Sequence, residues 1–356
     1  MKRLEKRGCQ LAVEFERVKH IRCLQFCEGR LRGPTPAVAA RLGPWIGLLP
    51  TFCYPDQLSM ADASAKLKER VRAFWQANPC GVKFADAAPG TRRFYELVEA
   101  HRYSSEWHIP IAADFVSSGG LKVLEIGCGL GTDGAQFAEA GADYTGVDLT
   151  EAAVELARKR FELFGLSGKF QTADAESLDF ADGSFDLVYS HGVLHHTPET
   201  EKAIEEIHRV LRPGGRAMVM LYHRDSYNYR VNISVLRRAG AQLLKWEPGI
   251  KLVHRITGEP LDSLREHARL LKTEKESYRS PQEFLNQNTD GAGNPLARVY
   301  SRQEARELFK DFSGVTLKTY FLNKRWLPLV GNLLPRSCES RLASRWGWHL
   351  WVYAKK

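Results

Sequence analysis

Glu125, Gly127, Gly129 and Gly131 stand at alternate positions, and Asp148 follows 21 residues after Gly127. Glycine lets a chain turn sharply on leaving a strand, and without a Cβ it lets backbone approach a ligand closely. A carboxylate at the end of the next strand, about 20 residues on, suits the two hydroxyls of a ribose. Gly129, Gly131 and Gly134 also satisfy G-x-G-x-x-G, but the natural frame starts at Gly127 and meets Thr132 where a last glycine would stand. Glu125 precedes the first glycine. A carboxylate there is badly matched to a pyrophosphate and well matched to an ammonium group.

The elements around these residues follow from pattern. Lys122–Ile126 is a short apolar run suited to a buried parallel strand. Thr132–Ala140 reads as a helix whose free N–H groups point into the same crevice. Asp143–Val147 is a second strand ending at Asp148, and Glu151–Phe164 is an amphipathic helix with Val154, Ala157, Phe161 and Phe164 on its apolar stripe. Lys169–Thr172 is a third strand leading into Asp174 and Ala175. Phe185–Ser190 is a fourth, followed by His191, His195 and His196 and by a helix from Glu199 to Leu211. Arg212-Pro213-Gly214-Gly215 ends that helix, because proline cannot continue it and glycine takes the left-handed cap. Arg216–Tyr222 is a fifth strand. Two ligands fit such a βαβ unit, a dinucleotide and S-adenosylmethionine.

The stretch 121–150 resembles motif I, E-x-G-x-G-x-G, of the class I S-adenosylmethionine-dependent methyltransferases, and the phrase HRVLRPGGRAMVM is similar to that of their type 11 group. The resemblance covers residues 120–222 and, less specifically, 300–356. It implies an α/β fold: a Rossmann-like, seven-stranded, mostly parallel sheet with helices on both faces, an antiparallel last strand and a helical lid insertion. It implies S-adenosyl-L-methionine as cofactor, held by Glu125, Gly127, Cys128, Gly129, Gly131, Asp148, Leu149, Asp174, Ala175 and Ser190. An acid at Asp174 would meet the adenine amine; a helix N-cap is the alternative there. His191, His195 and Tyr222 are the expected catalytic residues, with His191 first as a base and His223 behind them. Methyl transfer to an O, N or C nucleophile of a small, lipid-like acceptor is the implied activity. An NAD(P)-dependent oxidoreductase or an inactive cofactor-binding partner protein is the alternative. The Asn/Asp-Pro-Pro-aromatic signature of base-amino methyltransferases is replaced by Ser190-His191-Gly192-Val193, which argues against nucleic-acid bases.

The chain has 356 residues and a net charge of +9, of which residues 1–59 hold ten basic and five acidic side chains. More than half of the excess therefore lies outside the functional region, which does not suit a nucleic-acid footprint. No apolar run approaches the ~20 residues that span a bilayer. Seven scattered cysteines suit reduced thiols in a cytoplasm. Neither His20, Cys23 and Cys27 nor His191, His195 and His196 match a metal-ligand spacing, so no metal is expected.

The expected organisation has five parts. Residues 1–59, rich in cysteine and proline, read as a disordered extension, with Met60 as a natural start. Residues 60–118 are helices covering the cofactor mouth: Ser64–Asn78, Arg92–Tyr103 capped by Thr91, and His108–Ser117. Tyr95, Arg102 and Tyr103 could reach a ligand from there or serve in packing. Residues 119–222 are the cofactor-binding core. Residues 223–300 are too long for a simple connection and read as a helical lid, with helices Asn228–Trp246 and Leu261–Leu271, a break at Pro248, Gly249 and Pro260, and loop over 281–295. Residues 301–356 complete the sheet, with a capping box at Ser301 and Glu304, a strand Val315–Phe321 and a last strand Gly347–Lys355. Between those strands Lys324–Arg336 reads KRWLPLVGNLLPR, an apolar run with basic flanks that suits peripheral membrane contact or the cover of a greasy pocket.

Overall fold

A computed structural model describes residues 60–273, 278, 280–323 and 335–356. The expected N-terminal extension with His20, Cys23 and Cys27, and the apolar run over 324–334, lie outside the described residues.

Seven strands form one sheet: β1 (Lys122–Ile126), β2 (Asp143–Asp148), β3 (Lys169–Thr172), β4 (Phe185–His191), β5 (Leu211–Tyr222), β6 (Ser313–Tyr320) and β7 (His349–Lys355). Their order is β3-β2-β1-β4-β5-β7-β6. Neighbours from β3 to β5 run parallel, and β7 runs antiparallel to both β5 and β6. The expected fold class holds, including the antiparallel last strand. The strand order reverses between β1 and β4, which places a crevice at their carboxyl ends.

Both faces of the sheet are covered, so its strands are apolar on both sides. Val123, Leu187, Tyr189, Met218, Met220 and Trp351 pack into one core cluster. Their neighbours Leu124, Val188, Val219, Leu221 and Val352 pack into the other. This is the period-two alternation of a strand, realised on opposite faces. Helix α1 (Met60–Ala77), α2 (Arg92–Ser105) and α3 (Ile109–Ala113) precede the sheet. The single expected helix over 108–117 is divided: α3 ends at Asp114, a left-handed residue with φ 48°, and a 3₁₀ turn Phe115–Ser118 follows.

Helices α4 (Thr132–Glu139), α5 (Glu151–Phe164) and α6 (Thr200–Val210) alternate with the parallel strands. The Thr150 hydroxyl accepts from the Ala153 N–H at the start of α5, and Gly165 takes the left-handed cap at its end. The α6 stripe of Ala203, Ile204, Ile207 and Val210 fills the second cluster. β5 begins earlier than its pattern predicts. Leu211 already pairs with Phe185, and the register then jumps to Arg216 opposite Leu187, so 212–215 loop out of the strand.

The insertion is more ordered than expected. Asn228–Arg237 winds as a π-helix and runs into Arg238–Ala241. Helix α7 (Glu247–Thr257) occupies the expected break, because Pro248 stands in its first turn, where a missing N–H is harmless. Helix α8 (Leu261–Thr273) follows, and α9 (Pro281–Gln287) fills part of the expected loop behind the Ser280 cap. Helix α10 (Arg302–Leu308) carries the predicted capping box between Ser301 and Glu304. Helix α11 (Arg336–Trp346) is an addition that the sequence reading lacked.

Candidate active site

The β1–α4 turn is built as its glycines suggest. Gly127, Gly129 and Gly131 all have positive φ, at 78°, 52° and 70°. A Cβ on Gly129 would meet nothing within 4 Å, so this backbone borders open space. A Cβ on Gly127 would instead run into Val193. That glycine is required by the turn and by its packing, rather than by ligand volume.

Around the turn opens a cavity of about 760 Å³, within the usual range for small-molecule sites. Glu125, Gly127, Cys128, Gly129, Asp148, Leu149, Asp174, Ala175, His191 and Tyr222 line it. Asp148 accepts from the Gly129 N–H at 3.1 Å and from the Thr150 N–H and hydroxyl at 3.0 and 2.9 Å. These bonds fix the carboxylate at the end of β2, beside the glycine turn. Asp174 accepts from the Glu176 N–H at 2.9 Å, a local side-chain turn with no helix behind it, so the helix-cap alternative falls. Lys68 of α1 spans Asp174 and Glu176 at 2.6 and 2.5 Å, closing the cavity from above with Val71 and Trp75.

Glu125 is 4 % exposed and accepts from the Tyr144 hydroxyl at 2.5 Å. Burial raises its carboxyl well above the ordinary range, with the nearby Asp133 adding to the effect. Asp133 goes the other way. Burial would raise it, but the Arg102 guanidinium at 2.8 and 2.5 Å and the hydroxyls of Tyr103 and Tyr189 at 3.0 and 2.8 Å hold it below the ordinary range. Arg102 is thus anchored to the cavity wall, while Tyr103 faces Asp133 and Tyr95 is fully buried with its hydroxyl on the Leu156 carbonyl.

The expected catalytic residues separate. His191 lines the cavity, and burial first, then Arg102, lowers its pKa well below the ordinary value. Arg102 lies 3.2 Å from its Nδ1. A guanidinium only donates, so Nδ1 accepts and the neutral ring carries its proton on Nε2. In this arrangement His191 offers a donor rather than a base. Tyr222 also lines the cavity and donates to both oxygens of Asp290, at 2.8 and 2.9 Å. Burial and Asp290 raise the phenol well above its usual value, so it too is a donor near neutrality.

His195 does not reach the cavity. The short 3₁₀ turn Leu194–His196 after β4 drives it into the core, 0 % exposed, with its ring centroid 3.6 Å from that of Tyr222. Ser190 is also 0 % exposed and donates to the Ile126 carbonyl, tying β4 to β1. Gly131 caps α4 from behind the turn. His223 is buried against the Gly347 carbonyl. These four support the site without lining it.

Sequence reasoning missed Asp290, Glu106 and His349. A second cavity of about 280 Å³ adjoins the first and shares Glu106, Tyr222, Asp290, Phe321 and His349 with it. The insertion supplies its polar wall, including Asn228, Arg237, Gln287 and Asn288. Asp290 stands at φ 63°, a conformation that a residue other than glycine rarely adopts, and so marked a signal only visible in the backbone. Glu106 is pushed up to about 7, mainly by burial.

Residues 124–219 match the family model described as a methyltransferase domain. The phthiotriol/phenolphthiotriol dimycocerosates methyltransferase of Mycobacterium tuberculosis is 42% identical over 102 residues, 28% of this chain and 37% of that protein. A sterol 4-C-methyltransferase of Caenorhabditis elegans is 35% identical over 114 residues, 32% of this chain and 34% of that protein. The matched stretch spans little more than a third of either relative. A SAM-dependent methyltransferase from Thermotoga maritima, titled a possible histamine N-methyltransferase, superposes at a TM-score of 0.41 and 18% identity, over 74% of this chain and 98% of that one. The match to a methyltransferase domain over residues 124–219 thus falls on the stretch that holds the glycine turn and the parallel strands β2, β3 and β4 with most of β1 and β5.

Proposed function

We propose that this protein transfers a methyl group from S-adenosyl-L-methionine to a nucleophile on a small, lipid-like molecule. One observation carries the reading: a single cavity runs from the glycine turn and Asp148, past Asp174, to His191 and Tyr222. Such a cavity holds a nucleoside at one end and an acceptor at the other.

The residues present fit the donor. Gly129 leaves open space, Asp148 offers a fixed carboxylate for ribose hydroxyls, and Asp174 with the Ala175 backbone offers a partner pair for adenine. Glu125 lines the cavity floor, and an ammonium group beside its buried carboxyl would favour the ionised form and pair with it. When bound, the donor supplies an electrophilic methyl on a good leaving group. The protein then has to align the acceptor and exclude water. Helix α1 covers the donor end through Lys68 and Trp75, and the insertion covers the acceptor end through Asp290. Asp290 is the carboxylate best placed to take an acceptor proton, held by Tyr222 on the wall shared by both cavities.

The two relatives are named for phthiotriol or phenolphthiotriol dimycocerosates and for a sterol, which supports a hydrophobic acceptor. The polar second cavity would take a hydroxylated part of it. The insertion is read as the acceptor's lid on the same ground. The test is to incubate the protein with labelled methyl donor and a host lipid extract and identify what becomes labelled. Label in an organic-soluble small molecule supports the reading; a melting point raised by NAD(H) and not by S-adenosylhomocysteine overturns it in favour of an oxidoreductase.

A further inference from the structure

Three imidazoles meet where the two cavities join. His108 comes from the turn before α3, His191 from the end of β4 and His349 from the start of β7. One nitrogen from each lies within 4.8 Å of the other two. His108 Nε2 is 3.1 Å from His349 Nδ1, although the residues are 241 positions apart. His108 and His349 are 1 % and 2 % exposed. Nδ1 of His108 and Nε2 of His191 are buried without a hydrogen-bond partner.

We propose that His108, His191 and His349 bind one divalent transition-metal ion of the zinc class, with a further coordination position open to the cavity. Neutral imidazole is the preferred ligand of such ions, and three protein ligands plus one open position is the pattern of a catalytic site. With metal–nitrogen bonds of about 2.0–2.1 Å, the edge of a tetrahedron is about 3.3 Å. The His108–His349 separation already matches such an edge. His191, whose ligand nitrogen lies within 4.8 Å of the other two, would take the third corner.

The surroundings support this in kind. Glu106 Oε1 lies 3.6 Å from His349 Nε2, the place of an outer carboxylate that orients a ligating imidazole through its other nitrogen. Arg102 is the competing cation, through its contact with His191 Nδ1. It has Asp133 and, at 3.5 Å, Glu106 to hold it when that contact is given up. His191 and His349 both line the main cavity, so the open position faces the acceptor. An ion there would act as a Lewis acid on an acceptor hydroxyl or enol oxygen, and His191 would then be a ligand rather than a base. That use rests on the methyl-transfer reading; the binding of the ion does not.

The experiment uses the untagged full-length chain, stripped with a chelator and titrated with zinc against a chromophoric competitor, and separately with cobalt(II). We expect about one equivalent bound and a visible ligand-field band with cobalt. In His108→Gln and in His349→Ala, affinity should fall at least roughly tenfold and the cobalt band should vanish. S-adenosylhomocysteine affinity and the melting transition of each variant report folding, and His191→Gln gives a third variant at the cavity wall if either of the others fails to fold. No stoichiometric ion, or an ion whose affinity is unchanged in the folded variants, overturns the proposal and leaves the histidines as a hydrogen-bonded cluster. Because S-adenosylhomocysteine binding is read separately, its absence in the unsubstituted protein would tell against the methyl-transfer reading instead.

Discussion

Asp148 and Asp290 hold the two ends of the cavity, and each can be tested alone. Asp148 is already satisfied by three internal donors, so its geometry is set before any ligand arrives. Asp148→Ala should weaken S-adenosylhomocysteine binding by roughly 1–3 kcal/mol, read by calorimetry, because ribose hydroxyls lose a partner. Unchanged affinity would remove Asp148 from the donor site. Asp290→Asn keeps the size of the side chain and tolerates its left-handed backbone, and it removes only the charge. It should lower the rate of methyl transfer roughly 10²–10⁴-fold with little change in S-adenosylhomocysteine affinity. An equal loss of both would make Asp290 a structural residue. Glu125, Asp148 and Asp174 could be placed on one cavity wall because each stands at or just beyond the carboxyl end of a short parallel strand. His108 and His349 were not, since a separation of 241 positions leaves no local pattern. His195 was misplaced for the opposite reason: it is next to the site in sequence, but one short 3₁₀ turn points it into the core.

At the scale of elements, strands and caps were read well because their signals are short-range. A short apolar run marked β1, and hydroxyl caps at Thr91 and Ser301 marked the starts of α2 and α10. The insertion was read less well. Pro248 looks like a breaker when its position in a helix is unknown, yet in the first turn it favours one. The splice between β4 and β5 offers a test at this scale. Asp186 accepts from the Lys122 N–H at 2.7 Å and pairs with Arg212, joining three neighbouring segments. Burial would raise its carboxyl, but these partners outweigh burial and hold it below the ordinary value. A depressed pKa means that the stabilisation is present above the unfolded value, near 3.9, and is lost as pH falls through the folded one. Asp186→Asn should therefore cost roughly 0.5–1 kcal/mol in urea unfolding at pH 7, and the difference should shrink toward pH 3. A cost that stays constant over that range would locate the effect in packing rather than charge.

Across the whole molecule, the two core clusters on the faces of the sheet draw their described members from residues 109–354, and the seven described strands lie within residues 122–355. Those residues contain few periodic apolar positions and many helix breakers, so they should add little to the core. A protein starting at Met60 should accordingly unfold at the same temperature as the full chain. The comparison becomes sharper with ligand present. A ligand that binds the folded state alone stabilises it by about 2.7 kcal/mol at a hundred times its dissociation constant, so S-adenosylhomocysteine should raise the stability of either protein by that amount. Equal rises in melting temperature would show that the donor site is complete within residues 60–356. A truncated protein that melts lower but gains the same increment would place the first 59 residues in the fold and outside the site. A truncated protein that melts normally but gains nothing would place them at the cavity mouth, where α1 already reaches Asp174 through Lys68.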